Sequence, residues 1–145
     1  MILDTSYFMP LAKMAVSTDL LLAVGDNKTQ PKGLSFDKVT LNSLSLFELQ
    51  AKAAKLGINT SWVIEALDAI SRFFRVESYN SPEIIEIASA LRKDFFTDYV
   101  DCVIVATAVA TGEELVTEDS QILRKRKELM EKYSLKILSY RELIG

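Results

Sequence analysis

Histidine is absent from the 145 residues. That removes Ser-His-Asp and Cys-His nucleophile systems and His-ligated zinc. Cysteine occurs once, as Cys102, so neither an internal disulfide nor a thiolate metal cage can form, and a reducing compartment fits. With 5 Gly and 3 Pro, collagen-like, low-complexity and linker-dominated readings fall away. Long apolar runs are missing too: the stretch from Asp19 to Val24 is far too short to cross a membrane. The start, Met1-Ile2-Leu3-Asp4, reaches a charge at once and lacks a basic leader. A soluble cytoplasmic protein without membrane contact is expected.

The groups left for catalysis are carboxylates, hydroxyls, Lys and Arg. Any metal would be held by oxygen, which suits magnesium, manganese or calcium. The balance of 17 basic to 20 acidic residues gives a net charge of -3. Bulk charge therefore does not grip nucleic acid, and only local patches remain for that role. Hydrophobic residues at 49% and charged residues at 26% are ordinary globular values, and the length suits one domain over residues 1–145.

Along the chain, short apolar strands alternate with helical periodicity. Ile2-Leu3 reads as a buried strand, followed by a helical pattern from Ser6 to about Val24. Asp26 to Asp37 is the one long polar stretch and reads as a mobile loop. Val39-Thr40-Leu41 is a strand, Ser43 or Ser45 caps a helix to about Leu56, and Thr60 or Ser61 caps another through Phe74. Arg75 to Tyr79 alternates like a strand. A helix starts at Ser81-Pro82 and runs to about Lys93, with proline at its first position. Further helices span Tyr99 to Thr111 and Ser120 to Tyr133, with strands at Leu115–Thr117 and Leu135–Leu138 and a last turn from Tyr140. This alternation predicts an α/β fold: a central, mostly parallel sheet of about five short strands flanked by helices.

The acids say most by their positions. Asp4 closes the first strand and Asp119 follows the strand at Leu115–Thr117. Asp98 and Asp101 share a face at the start of a very apolar helix. In a parallel sheet, strand ends and the following helix starts gather on one edge, where such folds place their sites. Two unit charges about 6 Å apart repel by roughly 3 kcal/mol at an effective dielectric near 20. A divalent ion would remove that repulsion; one ion can activate a water and two can clamp an in-line phosphodiester displacement. Each acid also has a plainer reading. Asp4, Asp98 and Asp119 stand where helix caps belong. Glu48 lies on an apolar turn with Lys52 four residues on as a partner for an ion pair.

Four segments, Ile2-Leu3-Asp4-Thr5-Ser6, Ser43 to Leu49, Asp101 to Ala108 and Gly112 to Asp119, together resemble the PIN-domain family. Among its members the chain is most similar to the VapC-type ribonuclease toxins of toxin–antitoxin pairs. The resemblance implies that Asp4, Glu48, Asp101 and Asp119 are catalytic and bind Mg2+ or Mn2+. Ser6, Thr117 and Asp98 would support them, RNA would be the substrate, and a small antitoxin protein and a second copy of the chain would be partners. In that family, wide apolar helix faces such as those at Ser6–Val24 and Thr60–Phe74 support dimers and antitoxin grooves, though the sequence alone allows them equally to be internal core.

The basic run Arg124-Lys125-Arg126-Lys127 could hold RNA phosphates near Asp119, or could be a solvated helix face. Lys28 and Lys32 are further RNA-binding candidates. Two other readings compete: an RNA-processing PIN-fold nuclease without antitoxin, and a non-catalytic PIN-like binding domain. A phosphatase of the haloacid dehalogenase type needs a second Asp two residues after Asp4, where this chain has Ser6.

Overall fold

The computed structural model of the protein describes residues 1–30 and 34–144. The strands are β1 (Ile2–Leu3), β2 (Thr40–Asn42), β3 (Arg75–Glu77), β4 (Leu115–Val116) and β5 (Ile137–Leu138). They form one five-stranded sheet in the order β3-β2-β1-β4-β5, and every pairing is parallel. Ile2 registers with Thr40 on one side and Leu115 on the other.

Helices cover both faces, which is why β1 and β4 are apolar without alternation and why β2 is buried throughout although it carries Thr40 and Asn42. Successive strand residues still point to opposite faces. Ile2 and Leu115 enter a core with Ile84, Leu91 and Ile104. Leu3, Leu41 and Val116 enter a second core with Phe8, Leu20, Leu49 and Ile70. The edge strand β3 carries Arg75 and Glu77 and is mostly exposed, and a short charged edge of this kind resists pairing with other chains.

The helices are α1 (Leu20–Gly25), α2 (Ser43–Lys55), α3 (Thr60–Phe73), α4 (Pro82–Asp94), α5 (Tyr99–Thr111), α6 (Ser120–Arg124), α7 (Arg126–Tyr133) and α8 (Tyr140–Leu143). In α5 every residue from Cys102 to Ala108 is buried, so this helix is apolar all round and runs through the interior. It ends at Gly112, whose φ of 68° is left-handed and suits a residue without Cβ. Cys102 is a buried free thiol, and burial pushes its pKa up to about 11, so it stays protonated.

Two expected helices are broken. The pattern from Ser6 to Val24 is a 3-10 helix at Thr5–Ala12 followed by α1. Pro10 lies inside the first piece, and Lys13 adopts a left-handed φ of 62° that closes it. Asp19 then opens α1 by accepting from the Leu22 N–H at 3.1 Å. The stretch Ser120–Tyr133 divides at Lys125, whose backbone (φ -98°, ψ 4°) leaves the helical well. Caps also shift by one residue. Asn42 and Asn59, not the following hydroxyl residues, cap α2 and α3 through Oδ1. The polar stretch after Asp26 is partly fastened: Thr29 is buried and bridges Ile144, and Phe36–Lys38 forms a 3-10 turn. Lys32 lies outside the described residues.

Candidate functional site

The sheet order places β1 between β2 and β4. The chain moves outward from β1 to β3 and returns on the other side of β1 as β4. A crevice therefore opens beyond the carboxyl ends of β1 and β4, the usual ligand position of open parallel sheets. Asp4 directly follows β1, and Asp119 caps α6 just after β4. Glu48 comes from the second turn of α2, Asp101 from the first turn of α5, and Asp98 is the N-cap of α5. All five acids line one open cavity of about 280 Å³, together with Ser6 and Lys52.

Hydroxyl groups hold the deeper acids. Asp4 Oδ1 accepts from the Thr5 N–H at 2.7 Å, and its Oδ2 accepts from Thr117 Oγ1 at 2.7 Å. Thr117 Oγ1 in turn accepts from the Asp119 N–H at 3.0 Å, so one buried hydroxyl ties two acid-bearing segments together. Thr5 Oγ1 donates to Glu48 Oε1 at 2.6 Å and lies 2.8 Å from Ser45 Oγ. A second buried polar link joins the helices that carry Glu48 and Asp101. Asn42, at the head of α2, donates from Nδ2 to Thr107 Oγ1 of α5 at 2.8 Å.

Capping leaves carboxylate oxygens of Asp98 and Asp119 open to the cavity. Asp119 Oδ1 accepts from the N–H groups of Gln121 and Ile122 at 2.8 and 3.1 Å, and its Oδ2 takes no hydrogen bond from a described residue. Asp98 Oδ1 accepts from the Val100 N–H at 2.9 Å. The expected Glu48–Lys52 ion pair does not form among the described residues; Glu48 turns to Thr5 instead.

The electrostatics are those of crowded like charges. Burial raises the Asp4 pKa, with the Asp119 charge adding to it, against lowering by the hydrogen bonds from Thr117 and Thr5. Burial also raises the pKa of Glu48; the Thr5 hydroxyl lowers it, Asp4 and Asp98 raise it, and Lys52 lowers it. Asp101 is pushed up to about 7, first by burial and then by the charges of Asp119, Asp98, Asp4 and Glu48. Nothing offsets that shift, because the Asp101 carboxylate has no hydrogen-bond donor or cation at contact among the described residues.

An all-oxygen donor set with an uncompensated carboxylate fits a hard divalent cation. Among the described residues, no group of three or more acids is close enough to form a finished metal cage. The arrangement suits an ion that keeps several waters and takes few protein oxygens directly.

The basic candidates are elsewhere. None of Arg124, Lys125, Arg126, Lys127 or Lys28 lines the cavity. Arg126 forms a two-point pair with Glu142, at 3.2 and 2.8 Å, and Lys28 pairs with Asp26 at 3.2 Å. Thr5, which lines the cavity, and Ser45, which contacts Thr5, are neighbours of the acids that the sequence reading did not assign. Their signal was present in Thr5 beside Asp4 and Ser45 one turn before Glu48. Their contact, however, joins residues 40 positions apart. A larger cavity of about 620 Å³ opens at the opposite edge of the sheet. Two carboxylates there are paired: Glu113 meets the terminal ammonium at 2.9 Å, and Glu114 meets Lys136 at 3.4 Å.

Solved structures share this architecture. A toxin–antitoxin complex from Klebsiella pneumoniae aligns with a TM-score of 0.61 at 20% identity, over 82% of this chain and 86% of that one. FitAcB from Neisseria gonorrhoeae aligns with a TM-score of 0.66 at 17% identity, over 98% and 99%. VapBC2 from Rickettsia felis, bound to a DNA fragment from its promoter, aligns at 0.60 and 17% identity, over 95% and 96%. A search of curated proteins found no match. Among the described residues no helix is long and apolar enough to cross a membrane. The profile of the PIN domain matches residues 1–129, and with this fold and this edge-of-sheet acidic cavity, the chain belongs to the PIN-domain family.

Proposed function

We propose that the protein is a divalent-metal-dependent endoribonuclease that hydrolyses RNA phosphodiester bonds. The observation that carries this reading is the convergence of Asp4, Glu48, Asp98, Asp101 and Asp119 on one open cavity in a chain without histidine. Asp4, Glu48, Asp101 and Asp119 would hold Mg2+ or Mn2+ directly or through its waters, with Asp98 at the rim. When bound, the ion supplies positive charge to a phosphodiester displacement and acidifies water at the site. The chain's own residues prepare that place. Thr5 and Thr117 hold Asp4 from both sides, Thr5 also aims Glu48, and the α6 N-terminus orients Asp119. Ser6 lines the cavity beside them. Hydrolysis adds a water oxygen to phosphorus and breaks one P–O ester bond, leaving a phosphate end and a hydroxyl end.

We further propose that the protein is the toxin of a type II toxin–antitoxin pair. Toxin–antitoxin complexes among the similar structures support this. So does an apolar cavity of about 270 Å³ formed by Leu11, Leu21, Phe36, Ala69, Phe73 and Phe74, with Phe73 65% exposed. Such a face suits a partner helix from an antitoxin or a second copy in a homodimer.

The test is cleavage of a mixed single-stranded RNA pool by purified protein with manganese, with magnesium and with chelator, beside the Asp101→Asn variant. Metal-dependent cleavage that disappears in the variant is expected. Full activity in Asp101→Asn would overturn the assignment. No cleavage, together with no metal binding in a titration, would favour a non-catalytic PIN-like domain.

A further inference from the structure

Lys52 stands out among the cations of this surface. It is exposed on α2 one turn after Glu48 and lines the same cavity as the five acids. Glu at i with Lys at i+4 is the favourable order for a helical ion pair. Here the pair is absent because the Thr5 hydroxyl takes Glu48 Oε1 inward at 2.6 Å. Lys28, Arg72, Arg75, Arg126, Lys132 and Lys136 are each matched to a carboxylate on the surface. Lys52 has no such ion pair among the described residues, a state it shares with cations such as Lys38 and Lys55, and what sets it apart is that it lines the cavity of the five acids.

A polyanion approaching five carboxylates is repelled at close range, and screening over roughly 8–10 Å does not remove repulsion between groups in contact. Cations bound by the acids would offset part of this. Among the described residues that line the cavity, the one positively charged side chain is Lys52. A compact ammonium on a flexible stem suits a phosphate oxygen whose position shifts between ground and transition states. We propose that Lys52 contacts a non-bridging phosphate oxygen of RNA next to the scissile linkage. The contact would position single-stranded RNA against the acidic cavity independently of base identity. This proposal rests on the ribonuclease reading and names a residue that holds the substrate there.

The experiment measures binding of a fluorescein-labelled, mixed-sequence single-stranded RNA by anisotropy between 50 and 200 mM salt. It uses the full chain in the Asp101→Asn background to prevent turnover, with and without Lys52→Gln or Lys52→Arg. Each phosphate contact to a single strand contributes about 0.7 to the slope of log affinity against log salt. Lys52→Gln is therefore expected to flatten the slope by about 0.7, so that over this fourfold salt range it loses about 2.5-fold less affinity than its parent. Lys52→Arg should restore the slope. In the otherwise wild-type protein, Lys52→Gln should raise KM for cleavage with little change in kcat. An unchanged slope with RNA binding intact would overturn the role of Lys52 and leave the nuclease reading standing. No RNA binding by any of these proteins, with no cleavage by the wild type, would overturn both.

Discussion

Thr5 Oγ1 stands 2.6 Å from Glu48 Oε1 and 2.8 Å from Ser45 Oγ. A hydroxyl has one proton, and the carboxylate can only accept. The order of donation is therefore Ser45 to Thr5 to Glu48, while the Thr5 N–H serves Asp4. One small residue thus orients two acids from different elements. Hydrogen bonds to charged groups contribute about 1.5–3 kcal/mol. If the orientation matters at the transition state, Thr5→Val should lower kcat/KM by about tenfold or more. Thr5→Ser, which keeps the hydroxyl, should recover most of it. Full activity in Thr5→Val with loss in Thr5→Ser, at unchanged melting temperature, would show that the methyl group and not the hydroxyl matters.

Asp119 caps α6, and in the proposed ribonuclease it would also hold the ion, two roles that substitution can separate. Asn caps helices about as well as Asp, whereas Ala at an N-cap costs about 1 kcal/mol. Asp119→Asn should leave the urea midpoint nearly unchanged while abolishing metal-dependent cleavage. Asp119→Ala should lose both activity and stability. Urea unfolding beside the RNA assay reads the two effects independently.

The pKa of Asp101, pushed up to about 7, makes stability depend on pH. Unfolded, the group titrates near 4, so between about pH 4 and 7 the folded state binds more protons than the unfolded one. Stability of the metal-free protein should therefore fall as pH rises through that window and level off above it. Asp101→Asn should flatten the profile and raise the melting temperature at pH 7.5. Adding Mn2+ to the wild type at pH 7.5 should also raise it, through binding to the folded state alone. Thermal melts from pH 4.5 to 8 with and without metal check both statements.

The link between Asn42 and Thr107 is fully buried. Thr107 also donates from Oγ1 to the Val103 carbonyl at 2.7 Å. Thr107→Val keeps the volume but strands the Asn42 amide, which costs about 1–3 kcal/mol. The variant should unfold at lower urea, and it should cleave RNA more weakly, because α2 and α5 carry Glu48 and Asp101. Unaltered stability would show that another group satisfies Asn42.

Much of this protein is written locally. Strand-helix alternation and apolar strands without alternation specify a parallel sheet covered on both faces, because only such strands bury both sides. The absence of histidine, with acids at strand ends and helix starts, narrows the chemistry to oxygen ligands before any coordinate is known. Local patterns were less informative where backbone geometry overrode periodicity. Pro10 and the left-handed Lys13 break an apolar pattern that reads as one helix, and Lys125 divides another.

Tertiary structure alone decided the rest, because the deciding contacts join positions far apart in the chain. Thr5 meets Ser45 and Glu48, and Thr117 meets Asp4 across 113 positions. Arg126 is drawn to Glu142 and away from the cavity that its sequence neighbour Asp119 lines. Lys52 lines that cavity without a contact ion pair, while its local partner Glu48 is held by a distant threonine. The sequence determined which charges the protein has and the edge of the sheet where its acids gather. Folding determined which charges are neutralised, since pairing depends on distance in space and not on distance along the chain.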